Sequence, residues 1–454
     1  MGGVLEVLRS ISSVSVVGAS PIRGKIGYEI LTNLVRYGFK GEVYPVNPKY
    51  GEVLGFRCYS SPRDIPGEVD LAVIAIPAPQ VPKSLEDLCG KGAKLAVVIS
   101  SGFRERGHVE LEEGLLRISR DCGIRLIGPN SAGVTSTPVR LHASIEVLPS
   151  EGRVAVVSHS GAVGGVAIYE LQKLGSGVSY FISLGNSLDV SLEEVLEELA
   201  EDPYTDSVVA YVEWVKEGRR FIEALRRLSE SKPVAVVKGG WGKASSEAVK
   251  THTGGMATPY EIFKAVVKQV GTYLAEEIDE AVEATEILRR LRTAPRMRRV
   301  LVVTNSGGYG ILTSSHLEVA GAEVAPLTKE LAMEIASATS KEFSGVNPID
   351  FGGDSRATDI VKALSLDLLR DHYDLAVAVY VPTSAETPEE ICDTFKEASE
   401  ALPTVYLVAG GGSTAIARCV SKTKPVARRP SSVAKVLAYL WRTQSIKPRL
   451  GIVH

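Results

Sequence analysis

The chain of 454 residues is longer than one hydrophobic core supports, and its length indicates about three domains. Hydrophobic residues make up 44% and charged residues 23%, which is typical of a globular protein. The formal net charge of −3 gives no electrostatic support for a nucleic-acid or anionic-membrane partner. No apolar run is long enough to span a membrane, and we expect no signal peptide at the first residues.

The cysteines are scattered along the chain, and no two of them form a C-x-x-C pair. This spacing predicts neither a metal cluster nor a disulfide framework, and we expect the reducing cytoplasm as the compartment. The five cysteines are Cys58, Cys89, Cys122, Cys392 and Cys419.

A strand, a glycine turn and a helix open the first domain. The apolar run 14–17 ends in Gly18-Ala19-Ser20, and helical spacing begins at Gly27. Such a turn lets backbone N–H groups and a helix N-terminus approach a phosphate. The glycine spacing is not the strict G-x-G-x-x-G pattern, so we interpret it as an anion-binding turn, with a tight turn without ligand as the alternative.

Four further apolar runs alternate with helical stretches in the same domain. Continuous apolar strands of this kind are typical of a parallel sheet covered on both faces, where ligands bind beyond the strand carboxyl ends. Those ends are small, polar or glycine-rich, which suits a long phosphate-bearing cofactor lying across the sheet edge. The runs begin near residues 43, 70, 94 and 125.

The second domain repeats the pattern. The run 153–157 leads into Ser158-His159-Ser160-Gly161-Ala162 and a helix, whose unpaired first N–H groups predict another anion pocket. Glu213 follows the apolar run 208–212, and it is either the solvated end of a strand or a functional group.

A polar segment around His252 follows the strand that ends in Lys238. Residues 250–255 read Lys-Thr-His-Thr-Gly-Gly, and we predict a short loop that begins at the same sheet edge as Ser160 and Glu213. A mobile histidine between hydroxyl groups suggests a carrier of an anionic group, and an ordinary surface histidine is the alternative.

A basic, proline-containing joint at 292–299 precedes a third domain. Residues 302–310 align with 156–164 without a gap, which indicates an internal repeat of the strand–turn–helix unit, and 347–354 reads as a glycine-rich loop. We therefore predict an α/β protein with three doubly wound domains at 1–148, 149–290 and 297–454.

Taken in order, short motifs along nearly the whole chain resemble the alpha subunit of ADP-forming acyl-CoA synthetases (acetate–CoA ligases), relatives of succinyl-CoA synthetase. The motifs are Val17-Gly18-Ala19-Ser20, Val46-Asn47-Pro48, Ser101-Gly102-Phe103, Gly128-Pro129-Asn130-Ser131-Ala132-Gly133, Ser158-His159-Ser160-Gly161, Leu184-Gly185-Asn186, Tyr211-Val212-Glu213, Lys250-Thr251-His252-Thr253-Gly254 and Asn347-Pro348-Ile349-Asp350.

The resemblance implies a Rossmann-like CoA-binding domain followed by two flavodoxin-like domains of the succinyl-CoA-synthetase type. It implies the reaction acyl-CoA + phosphate + ADP ⇌ carboxylic acid + CoA + ATP, through an acyl phosphate and a phosphohistidine on a mobile loop. It also implies a second chain, an ATP-grasp beta subunit that carries ADP or ATP and Mg²⁺, in an α2β2 heterotetramer.

The resemblance assigns roles to individual residues. His252 would be the phosphohistidine, and Glu213 its hydrogen-bond partner. The implied phosphate site comprises Ser160, Gly161, Ala162, Asn130, Thr253 and Gly254. The implied CoA site comprises Gly18, Ala19, Ser20, Lys25, Asn47, Lys49, Pro77, Ser100 and Ser101.

The chain departs from the family pattern at two positions. Ser131 replaces a frequent cysteine, and His159 replaces a glutamine or arginine, which makes His159 a rival phosphoryl acceptor on a more rigid turn. Two other functions remain open. One is a CoA-responsive binding protein without catalysis, and the other is an NAD-linked dehydrogenase, which the missing G-x-G-x-x-G and Asn47 disfavour.

Overall fold

The structure, a computed structural model, describes residues 2–253, 258–291 and 298–446, with only the backbone for 250–253 and 444–446. The chain forms two compact units. One comprises Met1–Tyr169 with Gly177–Ile278, and the other Glu170–Ser176 with Asp279–His454. Across the described ranges, no helix is long and apolar enough to cross a membrane, and no three or more side chains are grouped to hold a metal ion.

The first sheet belongs to the first unit and has five parallel strands. Its elements are α1 (Val4–Ser10), β1 (Ser13–Val17), α2 (Ile26–Tyr37), β2 (Glu42–Val46), a small hairpin of β3 (Glu52–Val53) and β4 (Phe56–Arg57), β5 (Leu71–Ile74), α3 (Val81–Cys89), β6 (Leu95–Val98), α4 (Val109–Cys122) and β7 (Arg125–Ile127). The order is β2-β1-β5-β6-β7. The register places Val17 beside Val46 and Ile74, so the turns after these strands open at one edge.

The second sheet lies in the same unit and has seven strands in the order β14-β13-β12-β10-β11-β8-β9. Its elements are β8 (Gly133–Ser136), β9 (Leu141–Ser144), β10 (Glu151–Ser158), α5 (Gly161–Lys173), β11 (Val178–Ser183), α6 (Leu192–Glu201), β12 (Ser207–Val212), α7 (Gly218–Ser231), β13 (Val234–Lys238), α8 (Lys243–Thr253), α9 (Tyr260–Gln269) and β14 (Tyr273–Ala275).

The hairpin of β8 and β9 was not predicted from the sequence, and neither was the short strand β14. The hairpin pairs antiparallel with β11 and contacts α2 of the first sheet, where Asn33 Nδ2 donates to Ser144 O at 2.9 Å. Both strands are fully buried, but each has only four residues and includes polar side chains, so neither forms an apolar run in the sequence.

The third sheet lies in the second unit and has five parallel strands in the order β16-β15-β17-β18-β19. Its elements are α10 (Ile278–Arg290), β15 (Val300–Thr304), α11 (Gly307–Val319), α12 (Lys329–Thr339), β16 (Ile349–Asp350), α13 (Ala357–Leu364), α14 (Leu369–His372), β17 (Leu375–Tyr380), α15 (Pro388–Glu397), β18 (Thr404–Val408), α16 (Ser413–Val420), β19 (Val426–Ala427) and α17 (Pro430–Ile446). The short β16 lies in the segment predicted as a loop.

Three largely parallel sheets with intervening helices confirm the predicted α/β class. Strands β1 and β17 are buried along their whole length, and β12 is buried except at the half-buried Tyr211, as the apolar runs indicated. A strand buried on both faces requires helices on both sides of the sheet.

The internal repeat is reproduced in detail at the turns after β10 and β15. Ser158 Oγ donates to Ser160 O at 2.5 Å, and Thr304 Oγ1 donates to Ser306 O at 3.2 Å. The Ser160 carbonyl also accepts the first helical hydrogen bond of α5, from Gly164 N, and the Ser306 carbonyl accepts that of α11, from Gly310 N. The two turns therefore have the same local construction.

The expectation that the cysteines form no disulfides was wrong. Cys89 is bonded to Cys122 and Cys392 to Cys419, while Cys58 is a buried free thiol. The bonded residues are 33 and 27 positions apart, and they meet because α3 packs on α4 and α15 packs on α16. Spacing along the chain does not reveal which helices are neighbours, so the cysteine argument for a reducing compartment loses its basis.

His142 in β9 is fully buried and holds the end of the hairpin. Its Nδ1 lies 2.8 Å from Thr135 Oγ1, and its Nε2 lies 3.1 Å from Glu146 O. Burial lowers the pKa of His142 to about 4. A carbonyl only accepts, so Nε2 carries the proton and Nδ1 accepts from Thr135.

We expect the free energy of unfolding to fall as the pH falls from about 6.5 towards 4, because the unfolded chain then binds a proton that folded His142 excludes. The slope attributable to this residue approaches ~1.4 kcal/mol per pH unit. Urea unfolding at a series of pH values, followed by tryptophan fluorescence, measures it. His142→Asn should flatten the slope and the exposed-site control His108→Asn should not; equal slopes in His142→Asn and the wild type would contradict this assignment.

Candidate functional site

The glycine turn after β1 is built by two close backbone approaches. Gly18 has a φ of +93°, and a Cβ there would lie 2.3 Å from Ala75 O. A Cβ on Gly27 would lie 2.0 Å from Gly18 O, so the start of α2 packs directly on the turn. Only glycine fits either position, and the contact brings the helix N-terminus to the sheet edge.

Asn47 ties the turn after β2 to the turn after β1. Its Nδ2 donates to Ala19 O at 2.8 Å, and its Oδ1 accepts from Lys49 N at 3.0 Å. Two residues of the predicted CoA site, Asn47 and Lys49, therefore lie beside the glycine turn. This arrangement leaves the Lys49 side chain exposed at the same edge.

The remaining predicted CoA residues follow the carboxyl ends of β1, β5 and β6. Ser100 Oγ donates to Ile76 O at 2.5 Å, which links the turns after β6 and β5. Ala19 and Ser20 are buried, and four others are exposed, namely Lys25, Lys49, Pro77 and Ser101. The structure thus gathers the set along one sheet edge, with two lysine side chains open to solvent.

A buried polar network joins the edges of the first and second sheets. Asn130 Nδ2 lies 3.5 Å from Asn186 Oδ1, and Asn186 Nδ2 donates to Glu105 Oε2 at 2.7 Å and Glu112 Oε2 at 2.9 Å. Burial opposes ionisation of Glu105, but the hydrogen bonds from Asn186 and from the backbone of Gly102 leave its pKa lowered. Glu105 is therefore held as a carboxylate beside the predicted phosphate residue Asn130.

The turn after β10 presents the start of α5 to the same region. Ser160 Oγ caps the helix by accepting from Val163 N at 3.5 Å. A Cβ on Gly161 would lie 2.3 Å from the Cβ of Ala132, so the helix start packs against the Gly-Pro-Asn-Ser-Ala-Gly turn. Ser160 and Gly161 are half-buried and Ala162 is exposed, which leaves the first-turn N–H groups accessible to an anion.

Glu213 is 5% exposed and stands one residue beyond β12, next to the Ser160 turn. Its N–H donates to His159 Nδ1 at 3.4 Å, and its carbonyl accepts from Lys238 Nζ at 2.7 Å. Tyr211 hydrogen-bonds to its carboxylate, and burial together with that carboxylate raises the pKa of the Tyr211 hydroxyl. The backbone and the side chain of Glu213 are therefore each held in place.

His159, the rival phosphoryl acceptor, is only 4% exposed. Burial lowers its pKa to about 4, and the nearby Lys238 acts in the same direction. Its ring lies 5.6 Å from that of Trp214, and its Nδ1 accepts from Glu213. The ring is therefore packed and neutral near pH 7, and its hydrogen bond holds the Glu213 backbone.

The segment around His252 differs from the predicted loop. Residues up to Thr253 belong to the helix α8, which begins at Lys243 and contacts the Arg104–Arg106 turn of the first sheet. Buried Val249 packs against Gly240, and this contact supports a helix where we expected a loop. The side chains of His252 and Thr253, and all of Gly254, lie outside the described residues.

Lys238 and Tyr211 are site residues that the sequence reasoning did not assign. Lys238 is 2% exposed, and burial lowers its pKa to about 8. A Cβ on Gly239 would lie 2.3 Å from Tyr211 Oη, so the glycine makes room for that ring. A lysine that ends an apolar strand directly before a glycine pair was a usable indication, but Glu213 and Tyr211 come from another strand.

The comparisons with known proteins agree with this architecture. Residues 12–137 match a family model described as a CoA binding domain, and residues 151–288 match one described as a succinyl-CoA ligase like flavodoxin domain. Two alpha subunits of ADP-forming acetate–CoA ligases from Pyrococcus furiosus are similar. The subunit of isoenzyme II is 35% identical, and the match covers 95% of this chain and 96% of that subunit. The subunit of isoenzyme I is 34% identical, and the match covers 98% of this chain and 99% of that subunit.

A solved structure is similar over almost the whole chain. It is that of the dinucleotide-forming acetyl-coenzyme A synthetase 1 of Ca. Korarchaeum cryptofilum in complex with phosphate and ADP. The TM-score is 0.86 at 32% identity, and the match covers 99% of each chain.

We expect Gly27→Ala to destabilise the protein and weaken CoA binding, because its Cβ would meet backbone rather than a movable side chain. The cost should be ~1–3 kcal/mol, as for other overpacking substitutions. Gly114→Ala in α4 is the matched control, since the nearest atom to its Cβ is 4.0 Å away, and it should stabilise by ~0.5–1 kcal/mol. Urea unfolding and CoA titration measure both, and equal effects of the two substitutions would show that the turn is not closely packed.

Proposed function

The chain belongs to the family of ADP-forming acetate–CoA ligase alpha subunits, and on that premise we propose how its residues divide the work of the ligase. It is a subunit of an acid–thiol ligase that uses CoA as a substrate. The proposed reaction is acyl-CoA + phosphate + ADP ⇌ carboxylic acid + CoA + ATP. Glu213 and the α5 turn carry the proposal, because they bring a fixed carboxylate and a helix N-terminus together at one edge.

We propose that CoA binds along the edge of the first sheet. Its phosphates would lie at the Gly18 turn and the start of α2, with the exposed Lys25 and Lys49 neutralising their charge. Ser20, Asn47, Pro77, Ser100 and Ser101 would line the rest of that edge.

Inorganic phosphate would bind at the first turn of α5, against Ser160, Gly161, Ala162 and Asn130. Its oxygen attacks the thioester carbonyl, CoA leaves as the thiolate, and an acyl phosphate results. The helix N-terminus would position the phosphate and neutralise its charge. The later transfer of the phosphoryl group depends mainly on these same two effects.

We propose His252 as the residue that then takes the phosphoryl group, with Thr253 and Gly254 completing the phosphate site. Attack on phosphorus needs a neutral imidazole with one free nitrogen, and a carboxylate hydrogen-bonded to the other nitrogen fixes that tautomer. Glu213 would supply this carboxylate and would stabilise the cationic phosphohistidine. Its fixed position beside the α5 turn supports the role.

An alpha subunit implies a beta subunit. We propose that this partner is an ATP-grasp chain that binds ADP or ATP with Mg²⁺, and that two of each chain form an α2β2 tetramer. His252 would deliver its phosphoryl group there. We also propose a cytoplasmic location, where acyl-CoA and ADP are available.

The proposal is tested by incubating the full chain with acetyl-CoA and ³²P-phosphate, alone and with a co-expressed ATP-grasp partner. We expect acid-labile label on the wild type, none on His252→Ala, and ADP-dependent loss of label when the partner is present. His316→Ala is the control, because it matches no motif. Full labelling of His252→Ala would contradict the assignment, and an unlabelled wild type that still binds CoA would favour a non-catalytic CoA-binding protein.

We expect Lys238→Met to lower kcat about tenfold or more with little change in KM for acetyl-CoA, because Lys238 Nζ holds the Glu213 backbone and small displacements of catalytic groups are costly. In the wild type, kcat should fall as the pH rises through about 8, where Lys238 loses its charge. This fall should vanish in Lys238→Met.

Lys232→Met is the matched control for this prediction. Like Lys238, Lys232 donates to backbone carbonyls, here Leu199 O at 2.6 Å and Asp202 O at 2.5 Å. Lys232 lies before the start of β13, however, and Lys238 lies at its end. It should lower stability and leave kcat unchanged. Equal kcat losses in both variants would show that Lys238 acts through folding alone.

A further inference from the structure

The Glu146 carboxylate lies against the first turn of α5. A Cβ on Gly165 would be 1.9 Å from Glu146 Oε2, and a Cβ on Gly161 would be 3.5 Å from Glu146 Oε1. Two glycines on one helix face thus leave a notch that this carboxylate fills. Gly161 is also a residue of the proposed phosphate site, so the carboxylate borders that site.

The backbone of Glu146 is fixed by the β8–β9 hairpin. Its N–H donates to Ser144 Oγ at 3.1 Å, its carbonyl accepts from His142 Nε2 at 3.1 Å, and the preceding N–H, of Ile145, donates to Ala132 O at 3.1 Å. Ala132 in turn contacts Gly161. The hairpin therefore delivers a half-buried carboxylate to the helix start on a rigid support.

This carboxylate does not act as an ordinary helix cap. A capping carboxylate accepts N–H groups of the first turn, but within the described part of the chain none of those groups, and no cation, pairs with Glu146. Burial raises its pKa, which means that its charge is poorly compensated where it stands.

An uncompensated carboxylate opposes the binding of another anion at the same turn, because like charges at short distance in a partly buried site repel. The repulsion becomes an attraction if a proton lies between the two groups, since the carboxylate then accepts a charge-assisted hydrogen bond. Hydrogenphosphate carries such a proton at neutral pH, and sulfate does not.

We propose that Glu146 selects a protonated oxyanion, hydrogenphosphate or hydrogenarsenate, by accepting the hydrogen bond of its P–OH or As–OH group, and that it rejects sulfate. The inference rests on the proposed function, because it uses the α5 turn as the phosphate site. Glu146 is a specificity-determining residue in this account, and no bond to it forms or breaks during the reaction.

The test compares phosphate and sulfate on the full chain in two ways. Isothermal titration measures the affinity of each anion without turnover, and phosphate-dependent release of CoA from acetyl-CoA measures the inhibition constant of sulfate. The wild type should bind phosphate at least about tenfold more tightly than sulfate, as expected for one charge-assisted hydrogen bond in place of a repulsion.

Glu146→Gln should lower the sulfate inhibition constant about tenfold and change the KM for phosphate less, because the amide has no charge and donates N–H to either anion. Gly165→Ala provides a second variant, since its Cβ takes the space of Oε2 and displaces the carboxylate without removing it. It should shift selectivity in the same direction. Glu151→Gln, an exposed site 3.6 Å from Arg140, is the control and should leave the ratio unchanged.

A wild type that binds both anions equally, or variants that keep the wild-type ratio while properly folded, would overturn the proposal. A change confined to acyl preference would overturn it as well. If CoA release shows no dependence on phosphate but the binding ratio still depends on Glu146, the proposed function fails and the anion selectivity stands.

Discussion

A buried lysine and a buried imidazole hold Glu213 at the end of β12, and the catalytic role that we propose for the second sheet depends on this arrangement. Lys238 and His159 bind the carbonyl and the N–H of one residue, while Tyr211 binds its carboxylate. These contacts hold Glu213 in place independently of the loop that follows it. In the mechanism that we propose, Glu213 orients the His252 imidazole, and even a small displacement of such a carboxylate would be costly.

The three sheets share one arrangement of strand ends and helix starts. Parallel strands bring their carboxyl ends to one edge, and each following helix points its N-terminus there, so each sheet can offer an anion site at that edge. The turns after β10 and β15 share their hydrogen bonds, yet different acids stand beside their glycines: Glu146 near Gly161, and Asp350, whose Oδ2 would be 2.5 Å from a Cβ on Gly307. In the second sheet, Glu146 is the acid that we propose selects the anion at this turn.

Several features were predictable because they depend on local order along the chain. The apolar runs placed most strands of the parallel sheets within a few residues, and the motif order indicated the family. The glycine turn at Gly18 was predictable because only glycine allows that backbone approach. The errors have a common origin. The β8–β9 hairpin, the two disulfides and the α8 helix near His252 all involve neighbours distant in sequence, such as β11, α4 or the Arg104–Arg106 turn.

The sequence by itself determined the fold class, the family and the identity of the main candidate residues, because strand periodicity and short motifs are properties of contiguous residues. Only the tertiary structure decided which of those residues act together. Glu213, Lys238 and His159 come from three strands, and Glu146 reaches α5 from a hairpin that the sequence left unassigned. Their burial and charge balance arise from packing between these elements, which encloses the His159 ring beside Glu213 and leaves the Glu146 carboxylate uncompensated beside the proposed phosphate site.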